Sequence, residues 1–136
     1  MESRKEIALS KHSKGYNCVQ AVACTYADLV DADELSIFRT GEALGLGMGG
    51  MEGTCGAISG ACMLAGLKIS TGNLETPNSK GLSYKYSKEI VNQFKEMNGA
   101  TLCKDLKGKE TGVVLRPCSG CITDACEIVE RVLFAD

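Results

Sequence analysis

The stretch Cys55-Gly56-Ala57-Ile58-Ser59-Gly60-Ala61-Cys62-Met63-Leu64-Ala65-Gly66-Leu67-Lys68-Ile69 decides the fold. Its apolar residues, Ile58, Met63, Leu64 and Leu67 among them, point in nearly every direction around a helix. That is the pattern of a helix buried all round rather than of a surface helix with one greasy stripe. Gly56, Gly60 and Gly66 each cost about 1 kcal/mol of helix propensity relative to Ala. With Ala61 and Ala65 they keep the helix thin, so that neighbours can approach closely. The expectation is a central, small-residue-rich helix on which the others pack.

Working towards the N-terminus, Gly45-Leu46-Gly47-Met48-Gly49-Gly50-Met51-Glu52-Gly53 is too glycine-rich for regular structure and reads as a loop ending at Thr54. Before it, residues 31–33 form a turn that caps a helix running through Leu35, Ile37 and Phe38 towards Leu44. Asn17 is a good N-cap for a helix over 18–30, with Cys18, Val22, Thr25, Tyr26 and Leu29 near one face. Residues 2–13 read as a short amphipathic helix ending before Gly15. Towards the C-terminus, residues 71–77 are loop. Residues 80–97 carry Leu82, Tyr86, Ile90, Val91 and Phe94 at helical spacing and stop at Asn98-Gly99. Thr101 is the expected cap of a short turn through Cys103 and Leu106, followed by a polar loop over 107–112. Val113-Val114-Leu115 could form only a lone strand with no sheet to join, so it reads as coil. Pro117 opens a last helix with Cys121, Ala125, Ile128 and Val132 in a stripe. The fold class predicted is all-α: a single-domain bundle of five or six helices, residues 1–136 forming one helical cysteine-rich domain.

Composition narrows the function. The 136 residues carry 15 Lys and Arg against 17 Asp and Glu, a formal charge of -2. With no basic stripe, nucleic acid is not an expected partner. No stretch approaches the roughly 18 apolar residues of a membrane span, and the start lacks an apolar signal core, so neither membrane insertion nor export is expected. The expected location is cytoplasmic. There most thiols stay reduced, and the eight cysteines read as inert packing, redox thiols or metal ligands rather than as a disulfide framework. A single histidine, His12 on a charged segment, leaves no general base for hydrolase chemistry and reads as surface.

Cys55 combines a helix start with a glycine-rich approach that exposes backbone N–H groups, which predicts the most acidic thiol of the chain. Cys118-x-x-Cys121 at the start of the last helix has the spacing of thiol oxidoreductases and of half a metal site. No second such pair is present for a zinc ribbon, and Ile122 stands where a c-type haem motif needs His. Cys103 could meet Cys118 in space. Cys24, Cys62 and Cys126 lie among apolar neighbours and read as small hydrophobes, Cys62 being the best exception because it shares a face with Cys55. Gly45-x-Gly47-x-x-Gly50 matches a dinucleotide fingerprint in letters only, since nothing around it reads as a βαβ unit.

The series Asn17-Cys18-x-Gln20-Ala21-Val22, then Cys55-Gly56-Ala57-x-x-Gly60 after a glycine-rich loop, then Cys103, then Cys118 with Asp124-Ala125-x-Glu127-Ile128 behind it, resembles the redox-active protein family named for its C_GCAxxG_C_C pattern. The similarity covers nearly the whole chain. It implies an α-helical domain of prokaryotes associated with oxidoreductase or transport functions, whose four cysteines correspond to Cys18, Cys55, Cys103 and Cys118. A related domain in split-Soret cytochromes is held to carry an iron-sulfur centre; the haem motif of those proteins has no counterpart here. Cys24, Cys62, Cys121 and Cys126 are additions to the family set, so the choice between Cys118 and Cys121 as working thiol stays open. The leading expectation is an iron-sulfur cluster on Cys18, Cys55, Cys103 and Cys118, four thiolates being its usual complement, in electron transfer with a redox partner protein. The alternative is a thiol-disulfide protein using Cys55, Cys118 and Cys121 catalytically; a structural zinc site or a partner-binding bundle is the remaining reading. The sequence leaves room for a homodimer and names no enzymatic reaction.

Overall fold

The computed structural model describes residues 1–135, and every regular element among them is helical. Seven α-helices follow in order: α1 Lys5–Ser13, α2 Cys18–Thr25, α3 Glu34–Gly41, α4 Gly56–Ile69, α5 Lys80–Asn98, α6 Cys103–Lys107 and α7 Cys118–Val132. The all-α reading is thus observed, with more helices than the five or six expected because the short α6 is a true helix.

Helix α4 is buried where the sequence demanded it. Ala57, Ala61, Leu64 and Ala65 are fully covered, and the helix packs against α2, α5 and α7. Its glycines explain the closeness of α2. A Cβ on Gly60 would meet the Val19 carbonyl oxygen at 2.7 Å and the Val19 Cα at 3.2 Å, and one on Gly56 would meet the Cys18 Cβ at 3.2 Å. The small residues therefore let the α2 backbone itself lie on α4, a contact no larger residue permits.

Helix α2 is shorter and more buried than its stripe suggested. Val19 through Thr25 are all covered, whereas Leu29, expected on the buried face, is 39% exposed. The helix stops at Tyr26, whose φ of -115° is non-helical, and a tighter helical turn over Ala27–Val30 follows. Its start is fixed by a reciprocal cap: the Gln20 amide N–H donates to Asn17 Oδ1 at 2.9 Å, and the Asn17 N–H donates to Gln20 Oε1 at 2.9 Å. The buried Gln20 also donates to the Phe38 carbonyl at 2.9 Å, so one side chain both caps α2 and docks α3.

The starts of α4 and α6 are tied by main-chain hydrogen bonds, with the Lys104–Glu52 ion pair at 3.4 Å beside them. Thr54 and Leu102 form an isolated antiparallel bridge, the Cys55 N–H donates to the Thr101 carbonyl at 2.8 Å, and the Cys103 N–H donates to the Gly53 carbonyl at 3.0 Å. The expected Thr101 cap is corrected by this: Leu102 is the N-cap residue, with no side-chain bond, while the Thr101 carbonyl serves Cys55. Val113-Val114-Leu115 is coil, as expected, its end held by the Leu115 N–H on the Leu106 carbonyl at 2.9 Å. Between α3 and α4 the glycine-rich segment folds into a wide turn over Gly47–Met51. Leu46, Met48 and Met51 take left-handed φ of 54°, 65° and 67° there, conformations that cost a non-glycine residue on the order of 1 to 3 kcal/mol each. No helix among the described residues is long and apolar enough to cross a membrane.

Candidate functional site

Five cysteines from four helices line one cavity of about 170 Å³: Cys18 at the start of α2, Cys55 immediately before α4, Cys103 at the start of α6, and Cys118 and Cys121 in the first turn of α7. Each lies at a helix entrance for a local reason already given. Asn17 caps α2, the backbone bridge seats Cys55 beside Cys103, and Pro117 precedes α7 as its N-cap residue. All eight cysteines are free thiols. Among the described residues, no three Cys, His, Asp or Glu side chains are grouped as ligands of one metal ion.

The thiols are bound to one another in two pairs. The Cys18 thiol donates to Cys118 and the Cys121 thiol donates to Cys55. In the first pair the hydrogen bond from Cys18 holds Cys118 down at about 5 against the opposing effect of burial, helped by the Lys107 ammonium, whose Nζ donates to the Cys118 Sγ. Cys18, the donor, is pushed well above the ordinary thiol range by that bond and by burial. In the second pair the bond from Cys121 lowers Cys55 to about 7 against burial, with the Ala57 and Ile58 N–H groups at the start of α4 assisting. Cys121 is raised by the same bond and by burial. Cys103 is raised by burial, with Lys107 opposing. The expectation that Cys55 is the most acidic thiol is therefore corrected: both thiols have a thiol donor and stand at a helix start, and Cys118 has the Lys107 ammonium in addition.

Three basic side chains, His12, Lys107 and Arg116, line the cavity, and no carboxylate does. His12, expected on the outer surface, belongs to this wall because α1 packs on α2 and α7. Lys107 lies four residues after Cys103 on α6, a spacing that could have been read from the sequence. Arg116 is held from behind by Asp124, which is buried and binds the guanidinium through both oxygens at 3.0 Å while accepting from Asn98 Nδ2 at 3.1 Å. The guanidinium lies over Gly120, where a Cβ would meet Arg116 Cζ at 2.6 Å, which explains the glycine between Cys118 and Cys121. The glycine-rich turn closes another side: Leu46 lines the cavity, and a Cβ on Gly47 would meet Cys103 Cβ at 2.6 Å.

The other three cysteines stay away. Cys24 reaches the Glu34 carbonyl at 3.7 Å, Cys126 meets the Tyr26 hydroxyl, and Cys62, the exception considered above, faces Ser87 on α5. Burial raises Cys24 and Cys126 to about 11.

A helical domain that gathers five thiols on one largely apolar cavity, two of them held below the ordinary thiol range, belongs to the class of cysteine-based redox proteins. Residues 16–132 match the family model described as "Putative redox-active protein (C_GCAxxG_C_C)", and the chain is a member of that family. No curated protein and no solved structure matches the chain.

Proposed function

We propose that this protein is an electron-transfer module that holds an iron-sulfur cluster on Cys18, Cys55, Cys103 and Cys118. The observation that carries the reading is the convergence of five cysteines from four helices on one cavity with no carboxylate in its wall. A disulfide chemistry needs two thiols; soft thiolates gathered in this number suit iron and sulfide. When bound, such a cluster supplies one-electron chemistry. The chain's own part is to offer thiolates already formed at Cys118 and Cys55, to set the Lys107 and Arg116 cations beside them, and to complete the wall with apolar Leu46 and Leu106. A cluster spreads its ligands over two or more irons, which fits thiols lining a cavity better than a mononuclear zinc site would. Its setting is cytoplasmic, opposite a redox partner protein.

Protein purified and reconstituted without oxygen should contain iron and acid-labile sulfide and absorb in the visible, and Cys103→Ser should lose most of that absorption. A colourless protein without iron after reconstitution overturns the reading. One observation favours a second: the hydrogen-bonded Cys18–Cys118 pair beside Lys107 is an attacking thiolate next to a resolving thiol, the arrangement of a dithiol that exchanges with a partner disulfide.

A further inference from the structure

The cavity holds more thiol chemistry than either reading uses. Cys18 and Cys118 are partly exposed, and Cys55 and Cys121 are buried behind them at 6% and 3% exposure. Each pair has an internal hydrogen bond, and every one of the four sulfurs shares the same cavity. The pairing follows from the helix crossings: α2 brings Cys18 to the first residue of α7, and the residue before α4 meets the fourth residue of the same helix. Cys103 shares the cavity without a thiol partner.

We infer that the metal-free protein is a two-stage dithiol relay, in which the outer pair Cys18/Cys118 reacts with a disulfide from outside and passes the oxidation inward to Cys55/Cys121. The inference rests on the second reading above, and it adds to that reading a buried store for a second electron pair. The steps balance. The Cys118 thiolate attacks one sulfur of an external disulfide RSSR, forming a mixed disulfide and releasing RS⁻. Cys18 gives its proton to that thiolate and attacks the Cys118 Sγ, forming Cys18–Cys118 and releasing the second RS⁻. The external disulfide has gained two electrons and the outer pair has lost two. The Cys55 thiolate then attacks the Cys118 Sγ, and Cys18 leaves as thiolate. Cys121 passes its proton to Cys18 and attacks the Cys55 Sγ, closing Cys55–Cys121 and restoring the Cys118 thiolate beside Lys107. A second RSSR oxidises the outer pair again, so two thiolates and two thiols become two disulfides, and two RSH and two RS⁻ are released.

The probe is oxidised glutathione added to reduced, chelator-treated full-length protein, followed by acid quench, alkylation and peptide mapping. Excess probe should produce Cys18–Cys118 and Cys55–Cys121 and leave Cys103, Cys24, Cys62 and Cys126 alkylated. Cys55→Ser and, independently, Cys121→Ser should stop at the outer disulfide. Cys118→Ser should slow closure of Cys55–Cys121 at least tenfold, because the inner pair is reached through Cys118. Unchanged closure of Cys55–Cys121 in Cys118→Ser overturns the relay, as does an outer disulfide in the wild type with Cys55 and Cys121 still free. Failure of the outer disulfide to form at all overturns the exchange reading beneath it, while the iron and sulfide content of reconstituted protein tests the cluster separately.

Discussion

Cys118 and Cys55 owe their acidity to different donors. Cys118 has a neighbouring thiol and an ammonium; Cys55 has a neighbouring thiol and two backbone N–H groups. Because thiolate is the reactive form, alkylation of the reduced, metal-free protein should follow the two values. Labelling of Cys118 should be half-maximal near pH 5 and that of Cys55 near pH 7, with Cys24 and Cys126, raised to about 11, unlabelled at neutral pH. A depressed thiol is charged above its value, so its reactivity is lost as pH falls. Lys107→Met should move the Cys118 profile upward; a shift of about two units cuts its thiolate fraction at pH 6 about tenfold. The Cys55 profile should move far less, since its largest causes are Cys121 and the start of α4 and the Cys118 charge acts on it last. Mass spectrometry of labelled peptides across pH reads both, and a Cys55 profile lying below that of Cys118 would sink the assignment.

Helix α4 offers a test in which two glycines on one element respond with opposite signs. Alanine in place of glycine adds about 1 kcal/mol of helix propensity wherever there is room for a methyl group. Gly66 has nothing within 4 Å of the position a Cβ would take, so Gly66→Ala should stabilise by roughly that amount. Gly60 has the Val19 carbonyl oxygen at 2.7 Å, backbone that cannot rotate away because the Asn17–Gln20 cap fixes it. Overpacking there costs about 1 to 3 kcal/mol, so Gly60→Ala should be net destabilising and Gly60→Leu more so. Denaturant unfolding of the three variants checks the order; equal midpoints for Gly60→Ala and Gly66→Ala would mean that α2 does not lie on α4 through Gly60.

These elements also show where sequence reasoning reached and where it ran out. The burial of α4 is written in its own composition, and the start of α2 in Asn17 with Gln20 three residues on, because both are local facts. The end of α2 is not, since Tyr26 leaves the helix for a tertiary partner, its hydroxyl meeting Glu130 Oε2 at 2.5 Å. That Cys18, Cys55, Cys103 and Cys118 share one cavity was legible only through family resemblance, as no spacing dictates that four helix starts meet. Cys121 was visible as half of a CxxC. Its bond to Cys55, the place of His12 in the wall and the lower value at Cys118 depend on how α1, α4 and α7 cross, which only the packed chain settles.

Across the whole molecule the five thiols are spread over elements of very unequal strength. Helices α2, α4 and α7 are anchored in the common core. Helix α6 has five residues, no side-chain N-cap and little besides Cys103 and Leu106 to bury, and helices this short do not stand on their own. It should therefore open locally far more often than the rest of the fold in metal-free protein. A group bound through Cys103 must be released before α6 can open, so binding lowers the open population by mass action. Hydrogen exchange on the reconstituted protein should thus slow most over Cys103–Lys107 and the Gly53 bridge it holds. It should change least in α5, which contributes no thiol to the cavity. Cys103→Ser should abolish the gain at α6 while leaving α5 as it was. Equal slowing through α5 and α6 would show general tightening of the fold in place of ligation, and no slowing at α6 in protein that does contain iron and sulfide would remove Cys103 from the ligand set and put Cys121 in its place.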